Sequence, residues 1–245
     1  MDQEASRDTG MRSIGLIGGM SWESTAIYYR LINQLVRERL GGLHSAKVVM
    51  ASFDFAEIEA LQNPQGWEEA GRRLAEAGRR LAAAGADCLL ICANTMHKVA
   101  PAVAAATDLP LIHIVDETAA ELKRRGSTKP LLLATRYVME QEFYIERLAA
   151  GGIEALVPDA EDRQALHAII FNELVRGIVD PKSKARCLDM IAKVRPRDCD
   201  GVIFGCTEIG MLLSQQDFAE PVIDSALVHA QAAVDFALAD KLRMK

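Results

Sequence analysis

A thiol and short runs of hydroxyl and amide side chains, found at two places in the chain, are the groups best suited to chemistry. The first place is Cys92-Ala93-Asn94-Thr95-Met96-His97, which follows the apolar run 87–91. The second is Gly205-Cys206-Thr207-Glu208, which follows 200–204. Asp87 and Asp200 lie 113 positions apart. The same offset pairs Leu89-Leu90-Ile91 with Val202-Ile203-Phe204, Cys92 with Gly205, and Asn94-Thr95 with Thr207-Glu208. A buried strand that ends in polar groups therefore occurs twice, and two such ends can face one pocket. The repeat fails at one point: the position matching Cys206 is Ala93, whose methyl group neither gives nor takes a proton.

Cys206 follows an apolar strand and precedes a helical turn expected over 209–213. A thiol at a helix N-terminus is expected to have a lowered pKa, because backbone N–H groups and the helix dipole favour thiolate. Thiolate is a competent base toward a carbon acid and a good nucleophile. Cys88, Cys187 and Cys199 lack such a setting and read as buried, inert thiols. Asn94, Thr95 and Thr207 offer side-chain donors beside open backbone N–H groups, a combination that suits a small carboxylate; each also suits plain turn and cap chemistry. Glu208 either orients Cys206, takes the ammonium of an amino acid, or serves as a helix-start acid. His97, and His229 near Asp224, either tune a neighbouring acid or base or are structural. Met20 and Ser21 in the glycine loop, and Thr135 at a strand end, are placed at the same pocket edge. Arg136, Arg163 and Lys47 are the candidate charge partners for an acidic substrate.

These residues need a scaffold of strand ends. The run 13–17 closed by Gly18-Gly19 predicts a buried strand entering a tight turn, and Ser21 can cap the helix that follows. That helix should bury Ile27, Leu31, Leu35 and Val36 and stop near Gly41-Gly42. Strands are expected at 47–53, 87–91, 109–114, 130–134, 154–157, 201–204 and 221–223. Helices are expected at 67–84, 98–106, 117–125, 139–150, 163–177, 181–194 and 226–243. The helix at 67–84 repeats Glu-Ala-Gly-Arg-Arg-Leu-Ala, which places Leu74 and Leu81 inward and the arginines in solvent. Alternating strands and helices predict βαβ units and parallel sheets. Near eight strands, the chain could instead close a single (β/α)₈ barrel. The Asp87/Asp200 repeat favours two similar α/β halves, with the pocket between them beyond the carboxyl ends of the strands. The expected division is a mobile tail at 1–11, a first α/β domain at 11–111 plus 218–245, and a second at 112–217.

Composition narrows the partners. Half of the 245 residues are hydrophobic and a quarter charged, with a formal net charge of −6. A nucleic-acid groove or anionic membrane is not expected to be the partner. Five cysteines without framework spacing predict a reducing compartment, and the C-x-x-x-C of Cys88 and Cys92 lacks the second pair a zinc site needs. The charged start 1–10 carries no apolar core of a signal peptide, and no apolar stretch is long enough to span a membrane, so a cytoplasmic protein is expected. Gly15-Leu16-Ile17-Gly18-Gly19-Met20-Ser21 fits neither the dinucleotide fingerprint nor the P-loop. No metal or organic cofactor is indicated.

Four motifs in order resemble the aspartate/glutamate racemase family, most closely its broad-specificity amino-acid racemase branch. They are residues 14–25 (Ile-Gly-Leu-Ile-Gly-Gly-Met-Ser-Trp-Glu-Ser-Thr), Asn94-Thr95-Met96-His97-Lys98, Thr135-Arg136-Tyr137 and Gly205-Cys206-Thr207-Glu208-Ile209. The likeness runs from about Arg12 into the closing helix. It implies a cofactor-independent racemase with two α/β domains related by a pseudo-twofold, usually a homodimer. Two bases flank the substrate α-carbon: the Cys of Gly-Cys-Thr-Glu and a Cys or Thr just before Asn-Thr. The family roles carry over to Cys206, Asn94, Thr95, Thr207 and Glu208 and stop at Ala93. Neighbours on a strand point to opposite faces, so Cys92 should not substitute. Ala93 leaves three readings: a disabling substitution, weak turnover through water, or one-thiol chemistry of the kind found in related decarboxylases. A non-catalytic amino-acid-binding protein is the alternative from another class.

Overall fold

The computed structural model describes residues 10–194 and 198–242. Residues 1–9 of the expected tail, and the expected helix end at 243, lie outside the described residues. Met11, the last residue of that tail, belongs to the core: it is buried, and the next residue's N–H donates to the Ala237 carbonyl at 3.0 Å.

The first half runs β1 (Ile14–Gly18), α1 (Trp22–Leu40), β2 (Val48–Ser52), α2 (Phe55–Glu59), α3 (Trp67–Ala83) and β3 (Cys88–Ile91). A 3₁₀ segment, Thr95–Val99, leads into α4 (Ala100–Ala104) and α5 (Ile114–Arg124). The second half has β4 (Pro130–Leu133), α6 (Arg136–Glu140), α7 (Glu142–Ala150), α8 (Ala160–Asn172), α9 (Pro181–Val194), β5 (Gly201–Phe204), α10 (Ile209–Leu212), β6 (Val222–Asp224) and α11 (Ser225–Leu242).

Two separate parallel sheets form, in the orders β2-β1-β3 and β4-β5-β6, so the chain is not a closed barrel. The expected strands 109–114 and 154–157 are reduced to single parallel bridges, Leu111 beside Leu89 and Leu156 beside Leu131. Counting those bridges, both sheets run second, first, third, fourth in chain order. β6 sits in the second sheet, and α11 follows it directly.

The sequence repeat is also a repeat of hydrogen bonds. Asp87 accepts from the Ser13 N–H at 2.6 Å, and Asp200 from the Lys129 N–H at 2.8 Å, so each carboxylate ties down the start of the neighbouring strand. Leu89 and Val202 each donate to a proline carbonyl, that of Pro110 and that of Pro221, both at 2.9 Å. At the carboxyl ends, Cys92 N–H reaches Ile17 O at 2.9 Å and Gly205 N–H reaches Leu133 O at 2.8 Å. Equivalent backbone bonds thus fix Ala93 and Cys206 one residue beyond the last sheet bond of their strands.

Helix α1 is turned relative to its apolar pattern. It buries Thr25, Tyr28, Ile32 and Val36, while Ile27, Leu31 and Leu35 flank that stripe. Tyr28 takes the central place because its hydroxyl finds a buried partner in His229 at 2.8 Å. Helix α11 lays Ala226, Ala230, Ala233 and Ala237 against β1 and α1, and these small residues let the backbones approach closely. On α3, Leu74 and Leu81 are buried, and the arginines pair at the surface, Arg72 with Glu69 at 2.7 Å and Arg79 with Glu76 at 2.8 Å.

Candidate active site

One cleft opens between the two sheets at their carboxyl ends, with about 480 Å³ of empty space, part of it open to solvent. Met20 and Ser21 come from the turn after β1, Ala93, Asn94 and Thr95 from the end of β3, Thr135 from the end of β4, and Cys206, Thr207 and Glu208 from the end of β5. These nine positions, expected from the sequence as acid–base or substrate-contact residues, line this one cleft.

The turn after β1 is built for close approach. A Cβ on Gly19, at φ +80°, would sit 2.2 Å from the Phe53 carbonyl, and one on Gly18 would meet Thr25 at 2.4 Å. Ser21 itself is held at φ 126°, a backbone region that costs a non-glycine residue of order 1–3 kcal/mol. Its side chain caps α1 by accepting from Ser24 N–H at 3.3 Å. The Ser24 hydroxyl donates to the Cys92 carbonyl at 3.0 Å, which ties this turn to the end of β3.

Asn94 is fixed at both ends of its amide. Tyr144 donates to Oδ1 at 3.0 Å, Nδ2 donates to Ser225 Oγ at 3.1 Å, and the Ser225 hydroxyl donates to the Phe204 carbonyl at 2.7 Å. This buried chain joins the end of β3 to the end of β5. Across the cleft, the hydroxyls of Thr95 and Thr135 lie 3.0 Å apart.

Cys206 and Glu208 form a buried pair, 8% and 3% exposed. The Cys206 thiol donates to Glu208 Oε2 at 3.0 Å, and the Thr207 hydroxyl donates to the same oxygen at 2.6 Å. Glu208 Oε1 is buried with no hydrogen-bond partner. The expected lowering of the thiol pKa is overturned. Burial, and then the Glu208 carboxylate, push Cys206 well above the ordinary thiol value, although the N–H groups of Glu208 and Ile209 act in the expected direction. The four-residue α10 supplies too little positive end to outweigh a buried carboxylate in contact.

Other sequence candidates lie behind or away from the cleft. Cys92 is buried in the core of the first half, with its pKa raised by that burial. His97 Nδ1 donates to the Ala93 carbonyl at 2.9 Å and Nε2 accepts from Ile114 N–H at 3.3 Å, so the ring is neutral and braces the end of β3. His229 is likewise fixed neutral, donating to Ile112 O and accepting from Tyr28, both at 2.8 Å. Asp224 accepts from Ala226 and Leu227 N–H at the start of α11. Among the described residues, no group of three or more His, Cys, Asp or Glu could hold a metal ion, and no helix is long and apolar enough to cross a membrane.

The Asp/Glu/hydantoin racemase family model matches residues 17–233. The chain belongs to this family. It is 22% identical to the broad-specificity amino-acid racemase RacX of Bacillus subtilis over 92% of this chain and 98% of that protein. A crystal structure of a Yersinia pestis protein assigned to the Asp/Glu racemases is 50% identical, with a TM-score of 0.88 over 93% of this chain and 100% of that one. An aspartate racemase homologue from Pyrococcus horikoshii is 36% identical, with a TM-score of 0.82 over 93% and 99% of the two chains.

For a member of the Asp/Glu/hydantoin racemase family, the position of its cations is informative. Arg136 bonds Gln164 at 2.7 Å and lies 3.7 Å from Glu140; Arg163 is held by Glu140 at 3.0 Å and the Pro158 carbonyl at 2.7 Å. Lys47 precedes β2, at the opposite end of the sheet from the cleft. None of the three lines it. Sequence reading missed the apolar wall, Phe55, Ile170, Phe171 and Val175, together with Gln62. Phe55 was within reach, since it begins the helix after the carboxyl end of β2. Phe171 and Val175 come from the far half, and no local signal marks them.

Proposed function

We propose that the protein is a cofactor-independent amino-acid isomerase that exchanges the substrate α-proton through Cys206 and inverts configuration weakly, because Ala93 stands where the opposing base would be. The observation that carries this reading is the Cys206–Glu208 pair at the end of β5, in the same cleft as Ala93 at the equivalent strand end. In the resting pair the thiol proton bridges to Glu208 Oε2. Transfer of that proton to the carboxylate yields the thiolate that takes the α-proton, and Thr207 keeps the carboxylate in place. The unpartnered Oε1 is free to accept from the substrate ammonium. Asn94, Thr95, Thr135 and Ser21, with the turn after β1, form the neutral donor set for the α-carboxylate.

The test is Ala93→Thr. A positioned second base is worth ~10²–10⁴ in rate, so inversion followed by polarimetry should rise by about that factor over the unaltered protein. An unaltered protein that already inverts as fast as Ala93→Thr would contradict the role given to position 93. One-thiol lyase chemistry is the second reading, favoured by the same methyl group, and release of CO₂ from an α-disubstituted malonate would support it. A cytoplasmic homodimer completes the proposal. Trp22 and Tyr29, two turns apart on α1, and Leu43 just beyond it are exposed and offer a surface to a second copy. A monomeric mass in light scattering would remove that part.

A further inference from the structure

The cleft has a mixed chemical lining that bears on its substrate. Its lining combines the acid–base pair, hydroxyls and the fixed amide with an apolar set, Phe55 and Met20 from the first half and Ile170, Phe171 and Val175 from the second. The rings of Phe55 and Phe171 face each other with centroids 6.4 Å apart. The polar handle among the missed lining residues is the buried Gln62, whose amide donates to Met96 Sδ at 3.5 Å. Among the described lining residues, none is Lys or Arg, and Glu208 is the one charged group. The nearby guanidinium groups of Arg136 and Arg163 are spent on Gln164, Glu140 and a backbone carbonyl.

We infer that the cleft takes an α-amino acid with an uncharged, largely apolar side chain and rejects aspartate and glutamate. This inference rests on the proton-transfer reading proposed above. A zwitterion balances the site: its ammonium meets Glu208, and its carboxylate meets the neutral donors. A second carboxylate, carried on the side chain, would have to leave water for an apolar wall with no counter-charge, beside the carboxylate of Glu208. The wall can repay burial of methylene groups and cannot repay burial of an anion.

Methionine, glutamine and glutamate have similar length and differ in polarity and charge, so they separate shape from charge. The unaltered protein is titrated with each, as L- and D-isomer, by calorimetry, and α-deuterium uptake in D₂O is followed in parallel. Methionine should bind and exchange on the order of 100-fold better than glutamate, with glutamine between them. In Val175→Lys, a half-buried wall position gains a cation, and the preference should move toward glutamate. Glutamate bound or exchanged as well as methionine would overturn the inference while leaving the proton-transfer reading intact. If methionine binds selectively but no amino acid exchanges its α-hydrogen, the inference holds as ligand selectivity and the catalytic reading fails. If no amino acid binds, both fail.

Discussion

Three histidines packed between α11, α5 and the end of β3 make the fold sensitive to mild acid. His97 lies 4.7 Å from His113 and 5.6 Å from His229 between ring centroids, and all three are buried. Burial lowers His229 from 6.5 to about 4, and His113 also to about 4, while His97 falls well below its ordinary value. The folded state therefore holds these rings neutral, and the unfolded chain protonates them as pH falls through 6.5. Stability is complete above about pH 7 and is lost between 6.5 and about 4. At pH 5.5 the unfolded state gains RT ln(1 + 10), about 1.4 kcal/mol, from one such histidine, with almost no offset from a folded group titrating near 4. His113 and His97 add losses of the same sign. Burial raises the Asp224 and Glu117 carboxyls, which work in the opposite sense at lower pH, so the clean readout is a difference between variants. Urea unfolding of the unaltered protein and of His229→Gln, at pH 7.5 and 5.5, should show the variant losing about 1.4 kcal/mol less on acidification. Equal losses in both proteins would refute the assignment of His229 as a buried neutral ring.

Two further substitutions probe the site. Glu208→Gln removes both the proton acceptor of Cys206 and the charge that raises its pKa. Exchange should fall by ~10²–10⁴, while alkylation of Cys206 by iodoacetamide should move to lower pH; an unchanged alkylation profile would show that the pair is not coupled. Tyr144→Phe strips the donor from buried Asn94 Oδ1. It should cost about 1–3 kcal/mol of stability and weaken ligand binding, and an unchanged midpoint with unchanged binding would show that Asn94 needs no such anchor.

The site's strand ends were legible in the sequence because a 113-residue repeat put Ala93 and Cys206 in register, and the structure shows that register in equivalent backbone hydrogen bonds. The glycine turn was legible for a steric reason, since no Cβ fits beside Phe53. What was hidden comes from tertiary contact. The rise in the Cys206 pKa depends on burial and on which way Glu208 turns, neither of which a motif encodes. The rotation of α1 depends on a hydrogen bond between Tyr28 and a histidine 201 residues later in the chain. The short outer segments at Leu111 and Leu156 look like full strands in an apolar pattern, but each pairs along one edge and is reduced to a bridge. Ile170, Phe171 and Val175 of the apolar wall were invisible because α8 and the turn after it enter the cleft from the other half of the molecule.

The central claim is that Cys206 moves the α-proton on one face while position 93 contributes nothing on the other. Its most direct test is α-hydrogen exchange in D₂O for the L- and D-isomers of a bound amino acid, scored by mass and by chirality in the same samples. The account predicts deuterium uptake that greatly outpaces inversion and disappears in Cys206→Ala. Inversion keeping pace with uptake, or uptake surviving the loss of Cys206, would contradict it.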